Sequence, residues 1–386
     1  MKEISIYIHI PFCKSKCYYC NFYSIPIIKS ENNELPENYT DLLKKEIEIM
    51  IERFNLSGSH INSIYFGGGT PSIMPIQFFQ NLLVSINKNF QIAKDAEITV
   101  EINPESGSFN KLAGLKSLGV NRLSIGAQSF NDDVLKTAGR IHNKKDVLHA
   151  INNAKKAGFN NISLDLIIGL PEQTENIFYS DVTRAINMKP EHISAYMLSI
   201  EKDTNFYKIY NENNRLTFIP EENEAKYYEI LCELLDKNDY IHYEISNFSK
   251  NGYESRHNLN YWKRGEYLGL GPSASSFLKT EDGKEIRKTN ASDFDKYANN
   301  VLQKTDNGHG AGFLEILTEK DKINEEIFLS LRTNPGIKIK RLLEFAGPDV
   351  INSFIKEGLM QNYNENVILT IKGMLLSSEI FARLML

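Results

Sequence analysis

Six short segments rich in β-branched and other apolar residues punctuate the first 200 positions: Ile4–Ile10, Asn62–Phe66, Glu97–Ile102, Asn121–Gly126, Asn161–Ile168 and His192–Leu198. After each but the last, the apolar spacing changes to that of an amphipathic helix, as at Leu42, Leu43, Ile47, Met50, Ile51 and Phe54 in "LPENYTDLLKKEIEIMIERF". Strand followed by helix, repeated, predicts an α/β protein with a parallel sheet of right-handed βαβ units. Six units instead of eight leave two architectures standing, an incomplete barrel and an open doubly wound sheet.

Beyond about residue 220 the rhythm changes. A helix in "EENEAKYYEILCELLDKNDY" leads to a strand, "IHYEISNFS", a polar stretch and the aromatic "HNLNYWKRGEYLGLGPSASS". Towards the end, three helices, a hairpin with an Asn-rich turn in "LMQNYNENVILT" and a last helix in "KGMLLSSEIFARLML" resemble a winged helix. The pattern divides the chain into 1–220, 221–312 (an α+β extension) and 313–386. The small last unit carries only Lys338, Lys340 and Arg341 as a basic cluster, so a packing or lid role is expected there and no nucleic-acid partner.

Composition narrows the class. The 386 residues are 41% hydrophobic and 24% charged with a net charge of −5, a globular balance that suggests neither a nucleic-acid nor a membrane-surface binder. The opening "MKEISIYIHIPF" has too short an apolar run for a signal peptide, and no segment approaches the roughly 18 apolar residues of a spanning helix, so the expected location is the cytoplasm. The cysteines exclude a disulfide scaffold: three of the four crowd into "CKSKCYYC" at Cys13, Cys17 and Cys20. The fourth, Cys232, lies on a helical apolar stripe and reads as a small buried hydrophobe.

In a parallel α/β sheet one rim gathers the loops that follow the strands, and sites form there. Strand one runs into the three cysteines, and strand two into "GGGTPS", Gly67 to Ser72. Strand three ends on Glu101 and Asn103, strand four on Gln128, and strand five holds Asp165. An unpaired carboxylate in an apolar strand is costly, so Asp165 calls for a reason. Structural zinc wants four ligands, and no second cysteine pair exists. Thiolates spaced C-x3-C-x2-C suit an iron–sulfur cluster, and three of them leave one iron of a 4Fe–4S cube open to another ligand. The triglycine run would let that ligand lie against bare backbone.

The cysteine spacing resembles that of the radical S-adenosylmethionine (SAM) enzymes, whose core is a partial (β/α)6 TIM-like barrel and whose open iron takes the amino and carboxylate groups of SAM. "IYIHIPFCKSKCYYCNFYS", "FGGGTPS", "EINPES", "RLSIGAQSF", "DLIIGLPEQT", "HNLNYW" and "EYLGLGPSASS" resemble the HemN/HemW group of that superfamily over nearly the whole chain. The group contains oxygen-independent coproporphyrinogen III oxidases and heme chaperones. The resemblance implies a cluster on Cys13, Cys17 and Cys20. SAM would contact Tyr7, Gly68 and Glu101, with Gly69, Thr70 and Tyr19 close by. A second SAM site would use Gln128, Arg140 and Asp165.

Two departures choose a branch. Phe22 stands where the oxidases resemble C-x3-C-x2-C-x-C, and only 12 residues precede Cys13. Both point towards the chaperones and away from decarboxylation. "HNLNYW" matches a heme-associated motif of that branch, implying His257 as an axial ligand with Tyr261 and Trp262 against the porphyrin. Arg256 and Lys263 flank it, as solvated charges or as partners for the propionates. Ser275 stands where relatives often have histidine. The partners implied are heme, an electron donor for the cluster and an acceptor hemoprotein, respiratory or other, which would place the protein at the inner face of the membrane during delivery. The alternative is an oxidase, another tetrapyrrole-modifying enzyme or a methyltransferase.

Overall fold

The computed structural model describes residues 2–27, 35–36, 38–213, 220–303 and 312–385. Six parallel strands form its centre: β1 (Glu3–Ile10), β2 (His60–Gly68), β3 (Gln91–Ile102), β4 (Arg122–Gln128), β5 (Ile162–Ile168) and β6 (His192–Met197). Their neighbours follow chain order and the array does not close on itself, as a partial barrel requires. The crossovers are the expected helices α1 (Tyr39–Phe54), α2 (Ile76–Asn89), α3 (Phe109–Ser117), α5 (Lys144–Lys156) and α6 (Glu175–Asn187), joined by a short helix the pattern did not predict, α4 (Asp132–Thr137). Local chemistry sets their starts: α5 opens on a capping box of Asn143 and Asp146, and Thr174 caps α6.

The alternation in "ISIYIHI" would ordinarily mark one buried and one wet face. Here both faces are buried. Ile4, Ile6, Ile8 and Ile10 are at most 1% exposed and join the apolar core. The opposite face carries Ser5 and His9, and along later strands Ser63, Glu97, Thr99, Arg122, Ser124, Ser163, His192 and Ser194, all buried too. Register places Ser5 beside Ser63 beside Glu97, and Tyr7 beside Tyr65 beside Thr99 beside Arg122. The strands therefore enclose a polar interior in which many groups pair with one another, while Thr99 Oγ1 and Arg122 Nε have no hydrogen-bond partner. His192, for instance, sits between the Ser163 hydroxyl and the Tyr243 hydroxyl, at 2.8 Å from each.

The later chain extends both edges of this sheet, which the sequence did not announce. On one side a hairpin, β7 (Ile241–Glu244) and β8 (Asn247–Ser249), docks antiparallel on β6. On the other, β9 (Tyr267–Leu270) pairs parallel with β1 and is followed by antiparallel β10 (Ser275–Lys279), β11 (Glu285–Thr289) and β12 (Phe313–Ile316). Phe313–Ile316, grouped by the sequence pattern with the last unit, is thus the outermost strand of the large sheet. Helices α7 (Asn205–Asn213) and α8 (Glu221–Asp236) precede the hairpin, and Cys232 is buried on α8 as expected.

"HNLNYW" lies in a short helix, α9 (Arg256–Trp262). Glu97 from β3 fixes its start by accepting from the backbone N–H groups of Arg256 (3.1 Å) and His257 (3.0 Å). After α10 (Phe294–Gln303) the chain ends in α11 (Glu319–Leu331), α12 (Ile339–Leu343), α13 (Pro348–Lys356) and a three-stranded antiparallel sheet of β13 (Ile337–Lys338), β14 (Met360–Tyr363) and β15 (Asn366–Leu369). The expected single last helix is two, α14 (Ile371–Leu375) and α15 (Ser377–Leu384), broken at Leu376, whose backbone leaves the helical region.

Candidate functional site

Two cavities adjoin at the cysteine loop. The first, about 430 Å³, opens at the carboxyl ends of the central strands and is lined by Cys13, Cys17, Cys20, Tyr19, Gly68, Gly69, Thr70, Glu101, Gln128, Arg140 and Asp165. Ten of the residues singled out in the sequence for the cluster and SAM, with Tyr19 beside them, thus share one space.

Backbone contacts build it. The N–H groups of Gly69 and Thr70 donate to the carbonyls of Ile10 and Phe12, both at 2.8 Å, and tie the glycine loop to the root of the cysteine loop. A Cβ at Gly69 would stand 2.8 Å from both carbonyls and 3.0 Å from Cys13 Sγ, so only glycine permits this approach. Tyr18 N–H donates to Ala138 O (3.1 Å) and Phe206 N–H to Tyr18 O (2.8 Å), which pins the middle of the cysteine loop. No disulfide forms among the cysteines. Burial pushes the Cys13 thiol up to about 11, a cost that a bound cation would remove by holding the thiolate. Among the described residues no group of three His, Cys, Asp or Glu converges on a single-ion site. Three thiols around a roomy cavity, with a bare-backbone cradle beside them, fit a multi-iron cluster better than a lone zinc ion.

The polar side chains around the thiols are firmly held. Arg140 donates from one Nη to Cys17 Sγ (3.2 Å) and from the other to Asn103 Oδ1 (3.1 Å) and Gly126 O (3.2 Å). His142, whose pKa burial lowers to about 3, remains neutral and accepts from Arg140 Nε at 3.3 Å. Glu101 accepts from the Tyr65 hydroxyl (2.9 Å) and the Gly68 N–H (3.1 Å), yet burial still raises its pKa to about 7. Asp165 accepts from Ser124 (2.9 and 3.0 Å) and Ser163 (3.0 Å), and burial raises it too. Its carboxyl is therefore not unpaired: serines of the interior surround it. The cavity thus offers acidic groups for a cationic ligand atom and a guanidinium for an anionic one.

The second cavity, about 550 Å³, shares Asn21 and Phe22 with the first and is lined by Tyr7, His9, Tyr23, Tyr261, Trp262, Tyr267, Phe277 and Phe328, with Arg264, Arg287 and Glu325. Tyr7, expected beside SAM, faces this space instead, with its hydroxyl 3.0 Å from His9 Nδ1. Ser275 lines it as well. Tyr261 and Trp262 line this space, and the Trp262 indole N–H has no hydrogen-bond partner.

His257 does not line either cavity. It is 1% exposed, and its Nδ1 and Nε2 lie 2.8 Å from the Ser63 and Tyr261 hydroxyls. Ser63 donates onward to Ser5 (2.8 Å), so the consistent chain is Tyr261 O–H to Nε2, then Nδ1–H to Ser63. Burial lowers the His257 pKa to about 3, which keeps this neutral tautomer. No nitrogen is free for iron in this arrangement; His9 lines the cavity, with its nitrogens 3.0 Å from the Tyr7 hydroxyl and 2.9 Å from Tyr23 O. Of the two readings of the flanking charges, the solvated one fits: Arg256 pairs with the exposed Asp95 (3.0 Å), and neither it nor Lys263 lines the space. His9, Arg264, Arg287 and Glu325 were missed. His9 had a local signal, the alternating polar face of β1; the other three had none.

The geometry defines a class of protein: a partial barrel with a thiol-lined cavity at its strand ends. The model of the Radical SAM superfamily matches residues 7–183. The solved structure of the coproporphyrinogen III oxidase HemN from Escherichia coli superposes with a TM-score of 0.78 at 23% identity, covering 99% of this chain and 90% of that one. More specific likenesses lie in sequence. The heme chaperone HemW of Bacillus subtilis is 36% identical over 98% of each chain. HemW of Lactococcus lactis is 34% identical over all of this chain and 98% of its own. The mitochondrial radical S-adenosyl methionine domain-containing protein 1 of Danio rerio is 32% identical over 87% of this chain and 74% of its own. The chain belongs to the HemW family of radical SAM proteins.

Proposed function

We propose that the protein is a heme chaperone that carries a SAM-ligated 4Fe–4S cluster and delivers heme to an acceptor hemoprotein. The observation that carries the reading is the second cavity, where Tyr261 and Trp262 of "HNLNYW" meet other aromatic rings around a space of about 550 Å³ beside the cysteine loop. Cys13, Cys17 and Cys20 would hold the cluster. When bound, the cluster supplies an open iron for SAM and an electron for its sulfonium. The chain's own part is to position SAM: Glu101 would take its amino group, and Gly68 and Gly69 would let it lie against backbone, with Thr70 and Tyr19 alongside. Gln128, Arg140 and Asp165 would complete a second SAM position.

His257 acts in this reading from behind Tyr261, holding the phenol that faces the heme. Phe22, 66% exposed between the two cavities, offers no thiol and argues against the oxidase alternative. No helix among the described residues is long and apolar enough to cross a membrane, so delivery to a respiratory acceptor would be made from the membrane surface. A hemin titration of anaerobically reconstituted protein, followed by absorption, tests the proposal. Saturable binding without release of carbon dioxide from coproporphyrinogen III is expected. Absence of binding together with decarboxylation would replace the chaperone with the oxidase.

A further inference from the structure

We infer that one end of the aromatic cavity is a carboxylate-binding subsite made of Arg264 and Arg287, and that Glu325 of α11 fills it as an internal carboxylate which a planar, carboxylate-bearing ligand displaces. The inference rests on the heme reading of the same cavity and names the contacts of the propionates.

The two arginines come from different elements, Arg264 just after α9 and Arg287 from β11, yet they converge on one glutamate. Arg264 Nε donates to Glu325 Oε2 at 3.0 Å, and Arg287 Nη2 to Glu325 Oε1 at 2.5 Å. All three line the cavity, and Glu325 is only 6% exposed. A carboxylate gripped through both oxygens by two guanidiniums is the arrangement by which proteins recognise carboxylate ligands. Arg264 also donates to Glu285 at 2.7 Å, but Glu285 does not line the cavity and has a further cation in Lys279 at 3.4 Å. Glu285 therefore reads as the fixed counter-ion, and Glu325 as the exchangeable one. With Glu325 displaced, the cavity end presents two cations to the ligand. The remaining walls are aromatic, so the favoured ligand has a flat conjugated body with acid groups at one edge.

The exchange has a mechanical consequence. Glu325 shares α11 with Phe328 and Leu329, which also line the cavity. Displacing the glutamate therefore acts on the helix that carries two apolar wall residues of the cavity, while Ile327 and Leu331 keep that helix in the core.

Absorption titrations of the full-length protein with hemin and with hemin dimethyl ester test this without any mutation. The parent is expected to bind hemin at least about tenfold more tightly than the ester, since charge-assisted bonds are lost on esterification. The Arg264→Gln/Arg287→Gln variant should bind both alike, at the affinity of the ester, and Glu325→Gln should bind hemin several-fold more tightly than the parent. Equal affinity of the parent for hemin and ester would overturn the subsite while leaving heme binding intact. No binding of either porphyrin by the parent would overturn the heme reading itself, and the subsite with it.

Discussion

The two cavities that meet at Asn21 and Phe22 are made in opposite ways. The thiol-lined one draws its groups from the carboxyl ends of successive strands, each following a short local motif, and holds them by hydrogen bonds within the barrel. The aromatic one is assembled from β1, the cysteine loop, α9, β9, β10 and the segment before it, β11 and α11, so its walls span most of the chain. One is rigid by topology; the other depends on how the later elements dock. The same contrast explains what each costs. Glu101 and Asp165 face the first cavity as buried carboxyls pushed up in pKa, whereas the second is walled mainly by rings and an ion-paired end.

Several substitutions would sharpen or break that division. The largest effect is expected from Cys13→Ser, Cys17→Ser and Cys20→Ser together: no cluster on anaerobic reconstitution, read as loss of bound iron and sulfide. Retention of stoichiometric iron and sulfide would remove the thiols from the site.

Next comes Glu101→Gln, expected to weaken SAM binding by about a hundredfold, the scale of a lost charge-assisted pair in a dry site, measured by equilibrium binding to the reconstituted protein. The same change should stabilise the ligand-free chain. A carboxyl whose folded pKa is about 7 against an ordinary 4.5 is fully tolerated below the lower value, and its contribution is lost as pH rises through 7. Denaturation of Glu101→Gln should therefore show a gain on the order of 3 kcal/mol at pH 8 and almost none at pH 4. An equal gain at both would deny that the buried charge is the cause.

His257→Ala should lower hemin affinity by about tenfold and leave the position of the Soret band unchanged, because the imidazole acts through Tyr261. A shifted band would instead make His257 an iron ligand. Smallest is Phe22→Ala: an exposed side chain, so stability should move by less than about 0.5 kcal/mol, while affinity for hemin and SAM both fall slightly. A large effect on one ligand alone would show that the shared wall belongs to a single cavity.

The contrast also marks where the sequence was readable. Five of the six parallel strands came within two residues at each end, because strand and helix periodicities alternate so regularly, while β3 starts six residues before the expected Glu97; the thiol-lined cavity followed from asking what each strand ends on. Tyr7 escaped because residues on one face of a strand can look into different spaces, and nothing local says which. The seat of "HNLNYW" was hidden because its anchor, Glu97, lies 160 positions away from His257. The extension of the sheet beyond β1 was equally hidden: β9 pairs with a strand some 260 residues earlier, at Ser5 and Tyr267. Arg264, Arg287 and Glu325 belong to that same long-range assembly and share no motif.

The account's central claim is that heme has its own cavity, separate from the thiols. Trp262 is the only tryptophan in the chain and lines that cavity, so its fluorescence reports hemin directly. Titrating hemin into the parent and into the triple cysteine-to-serine variant should quench Trp262 saturably at one equivalent in both, with similar affinity. Loss of saturable quenching when the cysteines are removed would place heme on the thiols and contradict the account.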